Sequence, residues 1–101
     1  MKNKAQKVMP SEKQIIALLL SLRKNFPEDY QIDEKYILDF HTRLDELEKE
    51  SGEDYSAFRI PDSEIKTNAG FDCVGGWSKK YCDRDLFLQR LEAVLVYLSS
   101  K

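Results

Sequence analysis

Between Asp33 and Gly52 the apolar residues Tyr36, Ile37, Phe40, Leu44 and Leu47 follow at intervals of one, three, four and three residues, the spacing of one stripe along an α-helix. A lone amphipathic helix is marginal in water, so this stripe obliges the rest of the chain to cover it. Two further segments can do so. After Ser11, the residues Ile15, Leu18, Leu19, Leu22 and Phe26 share a helical face, and Ser11 with Gln14 three positions on has the form of a capping box. This helix is predicted from Glu12 to Asn25, because Pro27 disfavours helical geometry in Phe26. After Asp83, a good N-cap, Phe87, Leu88, Leu91, Val94, Leu95 and Leu98 lie on one arc, which predicts a helix reaching Ser99. In the central helix Asp33 is the N-cap candidate and Gly52 the C-terminal stop, with Asp39/Arg43 and Asp45/Lys49 placed to pair four residues apart.

With 101 residues, 42% of them hydrophobic, the chain has material for one core and not for separate cofactor and substrate lobes. The expected fold is mainly α, three amphipathic helices around that core. Residues Met1 to Met9 are polar and basic without apolar period and read as a flexible tail, leaving 10–101 as a single small domain. Glu28 to Ile32 reads as a polar link. Glu53 to Cys82 is too long to lack structure, so it should hold elements of its own. Pro61-Asp62-Ser63-Glu64 can open a helical turn near Ile65. Phe71 to Val74, then Gly75-Gly76, then Trp77 to Tyr81 reads as a two-stranded β-hairpin, in which Val74 would pair with Trp77 and Asp72 face Lys79. Without that hairpin the class becomes all-α.

The longest apolar stretch, Ile15 to Leu22, is far below the roughly 20 residues that span a bilayer. Charged residues on both sides of it, Glu12 and Lys13 before and Arg23 and Lys24 after, argue against a secretory signal. Two cysteines are too few for a secreted disulfide scaffold, which favours a reduced, cytoplasmic setting. A net charge of −2 provides no global attraction to nucleic acid or anionic lipid.

The residues that could carry chemistry are few. Cys73 and Cys82, nine apart, match no zinc pattern, and in the hairpin register they are too far apart for a disulfide. Cys82 precedes a helix N-terminus near Lys79, Lys80 and Arg84, as a reactive thiol would, but Asp83 and Asp85 oppose its thiolate. At the position before the N-cap it can instead form a hydrophobic staple with Phe87. His41, the one histidine, reads as a boundary residue beside Asp45, and the acidic run Asp45 to Asp54 as a solvated helix face. No phosphate loop, metalloprotease helix or paired-carboxylate signature is present, so no catalytic residue, cofactor or metal is assigned.

Binding is assigned to Phe71, Trp77, Lys79, Lys80, Tyr81 and Arg84, where aromatic and basic residues interleave in a long excursion whose ordering is costly. Three function classes follow. The leading one is a non-enzymatic protein-interaction module of the accessory, inhibitory or regulatory type. The others are a nucleic-acid-binding module using the same segment and a small thiol enzyme using Cys82. Ile16 and Leu20 on helix one, and Leu86, Ala93, Val96 and Tyr97 on helix three, add apolar surface beyond a single stripe, and a two-fold homodimer would cover it.

Overall fold

The computed structural model describes residues 11–68 and 79–100. It is mainly helical with a small antiparallel sheet, in the order α1 (Glu12–Lys24), β1 (Gln31–Asp33), α2 (Glu34–Ser51), β2 (Lys66–Asn68), β3 (Lys79–Asp83) and α3 (Arg84–Ser99). Two single 3-10 turns, Ser56–Phe58 and Asp62–Glu64, lie in the α2–β2 connection. The second is the helical turn expected from Pro61-Asp62-Ser63-Glu64.

The helix ends follow from local chemistry. The Ser11 hydroxyl accepts the Gln14 N–H at 3.3 Å while the Gln14 side chain accepts the Ser11 N–H at 2.8 Å, so the capping box is complete. α2 stops at Gly52, which takes the left-handed conformation at φ 76° and donates its N–H to the Glu48 carbonyl at 2.8 Å. Asp33 and Asp83 are the N-caps of α2 and α3, each with extended backbone and neither with a side-chain cap bond.

The sheet has the order β1-β3-β2, with both neighbours antiparallel to β3. Here the sequence-based expectation needs two corrections. Gln31 and Ile32, expected to end a polar link, form with the N-cap residue Asp33 a strand. Its Ile32 is fully buried opposite Cys82, itself fully buried. Lys79 pairs with Asn68, not with Asp72, so the hairpin sits in a different register and its first strand begins at Lys66. Phe71 to Val74, the Gly75-Gly76 turn and Trp77 lie outside the described residues, as does the N-terminal tail. The reason for the new register is long-range: β3 is pinned in the middle by β1, from a segment some fifty positions earlier.

The core joins all of these elements. Ile15 and Leu19 of α1, Ile37, Phe40, Leu44 and Leu47 of α2, and Phe87, Leu91, Val94 and Leu98 of α3 are buried, together with Tyr55 and Ile60 from the α2–β2 connection. Phe87 is its aromatic centre, 5.0 Å from the Phe26 ring and 5.1 Å from Phe40. Cys82 and Phe87 occupy the staple positions on either side of the Asp83 cap, and both are fully buried. A second aromatic group, Tyr55, Phe58 and Tyr97, has ring centroids 5.7 to 5.8 Å apart and attaches the connection to α3. α1 and α3 run antiparallel, since Phe26 meets Phe87 and Arg23 reaches Glu92 at 2.8 Å. Both members of that ion pair are about half exposed, so it adds little to stability. Among the described residues no helix is long and apolar enough to cross a membrane.

Candidate functional site

One side of α2 acts as a rack for the connection that follows it. Glu48, Asp45 and His41, spaced three and four apart on one helical flank, meet the connection in reverse order. The Tyr55 N–H donates to Glu48 Oε2 at 2.9 Å, the Arg59 guanidinium to Asp45 Oδ1 at 2.7 Å, and the Ile60 N–H to His41 Nε2 at 2.9 Å. From α3, Arg90 Nη1 donates to the Ala57 carbonyl at 2.7 Å. Asp45 therefore turns to Arg59 rather than serving the expected pair with Lys49, and part of the acidic run is structural. Arg43 lies 3.9 Å from Asp39 and 3.3 Å from Glu46, near enough for attraction but, toward Glu46, not aligned for a hydrogen bond.

Where the connection leaves the rack and enters β2, it bounds an open groove of about 410 Å³ between α2 and the sheet. Ile37, Leu38 and Ile65 form its apolar surface, and Glu34, Asp62 and Lys80 its charged rim, with His41 and Thr67 between. Thr67 and Lys80 are opposed on neighbouring strands, so they reach the groove from the same face of the sheet. Leu38, 57% exposed, is the large apolar side chain that α2 leaves uncovered beside its buried stripe. Beside Lys80, assigned to binding from the sequence, that off-stripe position was the sequence signal for the groove. Ile65, Asp62 and Thr67 carried none, because only the tertiary fold brings them together.

Of the assigned binding residues, Lys80 lines this groove. Tyr81 alternates to the other face of β3 and is half-buried, on the side where Lys66 Nζ approaches Asp83 Oδ2 at 3.8 Å. Lys79 stands in β3 opposite Asn68. Arg84 has a different occupation. Its Nε donates to the Pro27 carbonyl at 2.7 Å, its backbone N–H to the Tyr30 carbonyl at 2.8 Å, and its guanidinium carbon lies 5.5 Å from the Phe26 ring centre. These contacts fasten the α1–β1 link to the start of α3. Phe71 and Trp77 are outside the described residues.

Cys82 and His41, the two side chains whose chemistry the sequence singled out, both have their pKa values shifted by burial. Burial, and then the charge of Asp83, push the Cys82 thiol up to about 11. At neutral pH it is a protonated core side chain rather than a nucleophile. His41 is held below its usual value of 6.5 by burial and by Arg59, with Asp45 and Asp62 pulling the other way. Its Nε2 is already an acceptor for Ile60. Among the described residues no group of three or more His, Cys, Asp or Glu is placed to hold a metal ion. A smaller depression of about 260 Å³ near the β3–α3 junction is bounded by Glu28, Tyr30, Asp83, Asp85 and Leu86 together with Arg84, so three carboxylates face one guanidinium there. No protein-family model, no curated protein and no solved structure matches the chain.

Proposed function

We propose that this chain is a small non-enzymatic protein-interaction module of the accessory or regulatory type. The groove between α2 and β2–β3, with Lys80 on its rim, is the described part of its binding face. The observation that carries this is exposed Leu38 set beside Ile65 in a concave site rimmed by charge. Two carboxylates, Glu34 and Asp62, outnumber the single Lys80 there. The complementary occupant is an extended segment of a partner protein with an apolar side chain between basic residues. The same carboxylates weigh against phosphate, hence against the nucleic-acid reading, and buried Cys82 weighs against a thiol enzyme. A cytosolic setting accords with a cysteine kept as a thiol in the core.

A labelled peptide alternating leucine with lysine tests the reading by fluorescence anisotropy, with a leucine-glutamate peptide as control. The first should bind and the second should not. Leu38→Asn should weaken binding about tenfold, the loss of roughly 1.4 kcal/mol of apolar contact, and Glu34→Gln with Asp62→Asn should remove the preference for lysine. Equal binding of both peptides, or indifference to Leu38→Asn, would exclude the groove.

Self-association is supported by a separate feature. Ile16 and Leu86 turn out half-buried against the core, and Tyr97 is engaged by Tyr55, Phe58 and Glu53. That leaves the small Ala93, exposed, and the larger Leu20, 51% exposed, and Val96, 64% exposed. Leu20 lies one turn before Arg23 and Val96 one turn after Glu92, so the antiparallel helices put both on one flank beside that ion pair. An apolar pair next to one cation and one anion is self-complementary about a two-fold axis, which makes a second copy its natural occupant. Light scattering at tens of micromolar should report a dimer that Val96→Asp dissociates; a monomeric mass for the unaltered chain would refute it.

A further inference from the structure

His41 stands where the wall of the groove is fastened to α2. Because Nε2 accepts the Ile60 N–H at 2.9 Å, the imidazole is neutral and carries its proton on Nδ1. Ile60 is 2% exposed, and the five residues after it run along the groove, with Asp62 and Ile65 lining it. The bond therefore ties the groove's wall to a titratable group. The charges around that group come from every side: Glu34 and Asp45 on α2, Arg59 and Asp62 on the connection, and Lys80 on the sheet.

We propose that His41 is a pH-sensitive latch on the peptide groove, closed when neutral and released when Nε2 takes a proton from solvent. This rests on the reading of the groove as a peptide site. A protonated Nε2 is a donor facing the Ile60 donor, so the bond breaks and the 60–65 wall loses its hold on α2. The neighbouring ties, Arg59 to Asp45 and the Tyr55 N–H to Glu48, end on carboxylates and do not involve the imidazole, so the release is confined to the groove end of the rack. Burial and Arg59 set the transition below the ordinary histidine range, so the groove is shaped at neutral pH and loosened on acidification.

The test is amide hydrogen exchange at Ile60 by NMR, corrected for the intrinsic pH dependence, near pH 7.5 and near pH 5. Protection should fall about tenfold at the lower pH, the loss of one buried hydrogen bond, while the Tyr55 amide stays level. His41→Gln places an acceptor that does not titrate in the same position, and there Ile60 protection should be flat. Ring titration of His41 in the unaltered chain provides a second measure: its midpoint should coincide with that of the Ile60 amide shift. Affinity for the leucine-lysine peptide should fall with Ile60 protection in the wild type and hold in His41→Gln. Flat Ile60 protection in the wild type, or an equal fall in His41→Gln, overturns the latch even if the peptide binds. A peptide that fails to bind near pH 7.5 removes the groove reading, and Ile60 exchange then decides the latch alone.

Discussion

Arg84 separates a binding role from a structural one, and the structure sets the magnitude. Arg84→Ala removes a charged hydrogen bond of 2.7 Å to the Pro27 carbonyl and the guanidinium that lies 5.5 Å from the Phe26 ring. A charged hydrogen bond contributes about 1.5–3 kcal/mol and an exposed cation–π contact about 0.5–1. Arg84 and Pro27 are half-buried, so water replaces part of what is lost and the sum comes to about 2 kcal/mol. For a domain of this size that lowers the melting temperature by roughly 8–16 °C. Arg84→Lys should recover less than half, because an ammonium group can meet the carbonyl but does not stack as the planar guanidinium does. The assay is thermal unfolding by circular dichroism beside peptide affinity at a temperature where each variant is folded. A variant that melts within about 2 °C of the wild type yet loses the peptide would refute the structural assignment and return Arg84 to the binding face.

Phe87→Ala opens a hole between two rings at the centre of the core and should cost about 3–5 kcal/mol in urea unfolding, whereas Leu20→Ala on the exposed flank should cost less than about 0.5. Gly52→Ala meets no neighbour within 4 Å but must hold φ 76°, so chemical denaturation should show a loss of about 1–2 kcal/mol, smaller for Gly52→Asn. Cys82, with its thiol pushed up to about 11, should react with iodoacetamide in the folded protein at pH 8 far more slowly than after addition of guanidinium; equal rates would contradict its burial. The lowered pKa of His41 has a stability consequence as well: its contribution is fully present above its unfolded pKa of about 6.5 and is lost as pH falls through the folded value. Melting temperature should thus drop on acidification more steeply in the wild type than in His41→Gln.

What could be read in the sequence was what local chemistry decides. Ser11 with Gln14 and Gly52 mark their helix ends through contacts within a few residues, and the stripes of α1, α2 and α3 specify most of their buried faces by period, although Leu18 of the α1 stripe is 44% exposed and Asp83 caps α3 without a side-chain bond. β1 was hidden because three residues with one apolar member, Ile32, make no alternation, and its partner Cys82 is fifty positions away. The hairpin register was misread for the same reason. Gly75-Gly76 suggested a local turn, while pairing to β1 and β2 determines where β3 lies. The rack on α2 left no periodic trace either, since His41 and Glu48 engage backbone N–H groups, which every residue except proline carries. Leu38 was visible as an apolar residue off the stripe, but its concave setting depends on Ile65 and Thr67 arriving from the connection and the sheet.

The most direct measurement of the central claim is a nitrogen-15 NMR titration of the whole chain with the leucine-lysine peptide near pH 7.5. The account predicts saturable shifts concentrated on Leu38, Ile65, Thr67 and Lys80, with the Leu20 and Val96 flank of α1 and α3 unchanged. Shifts confined to that flank or to the smaller depression around Tyr30, or no saturable shift at all, would contradict it.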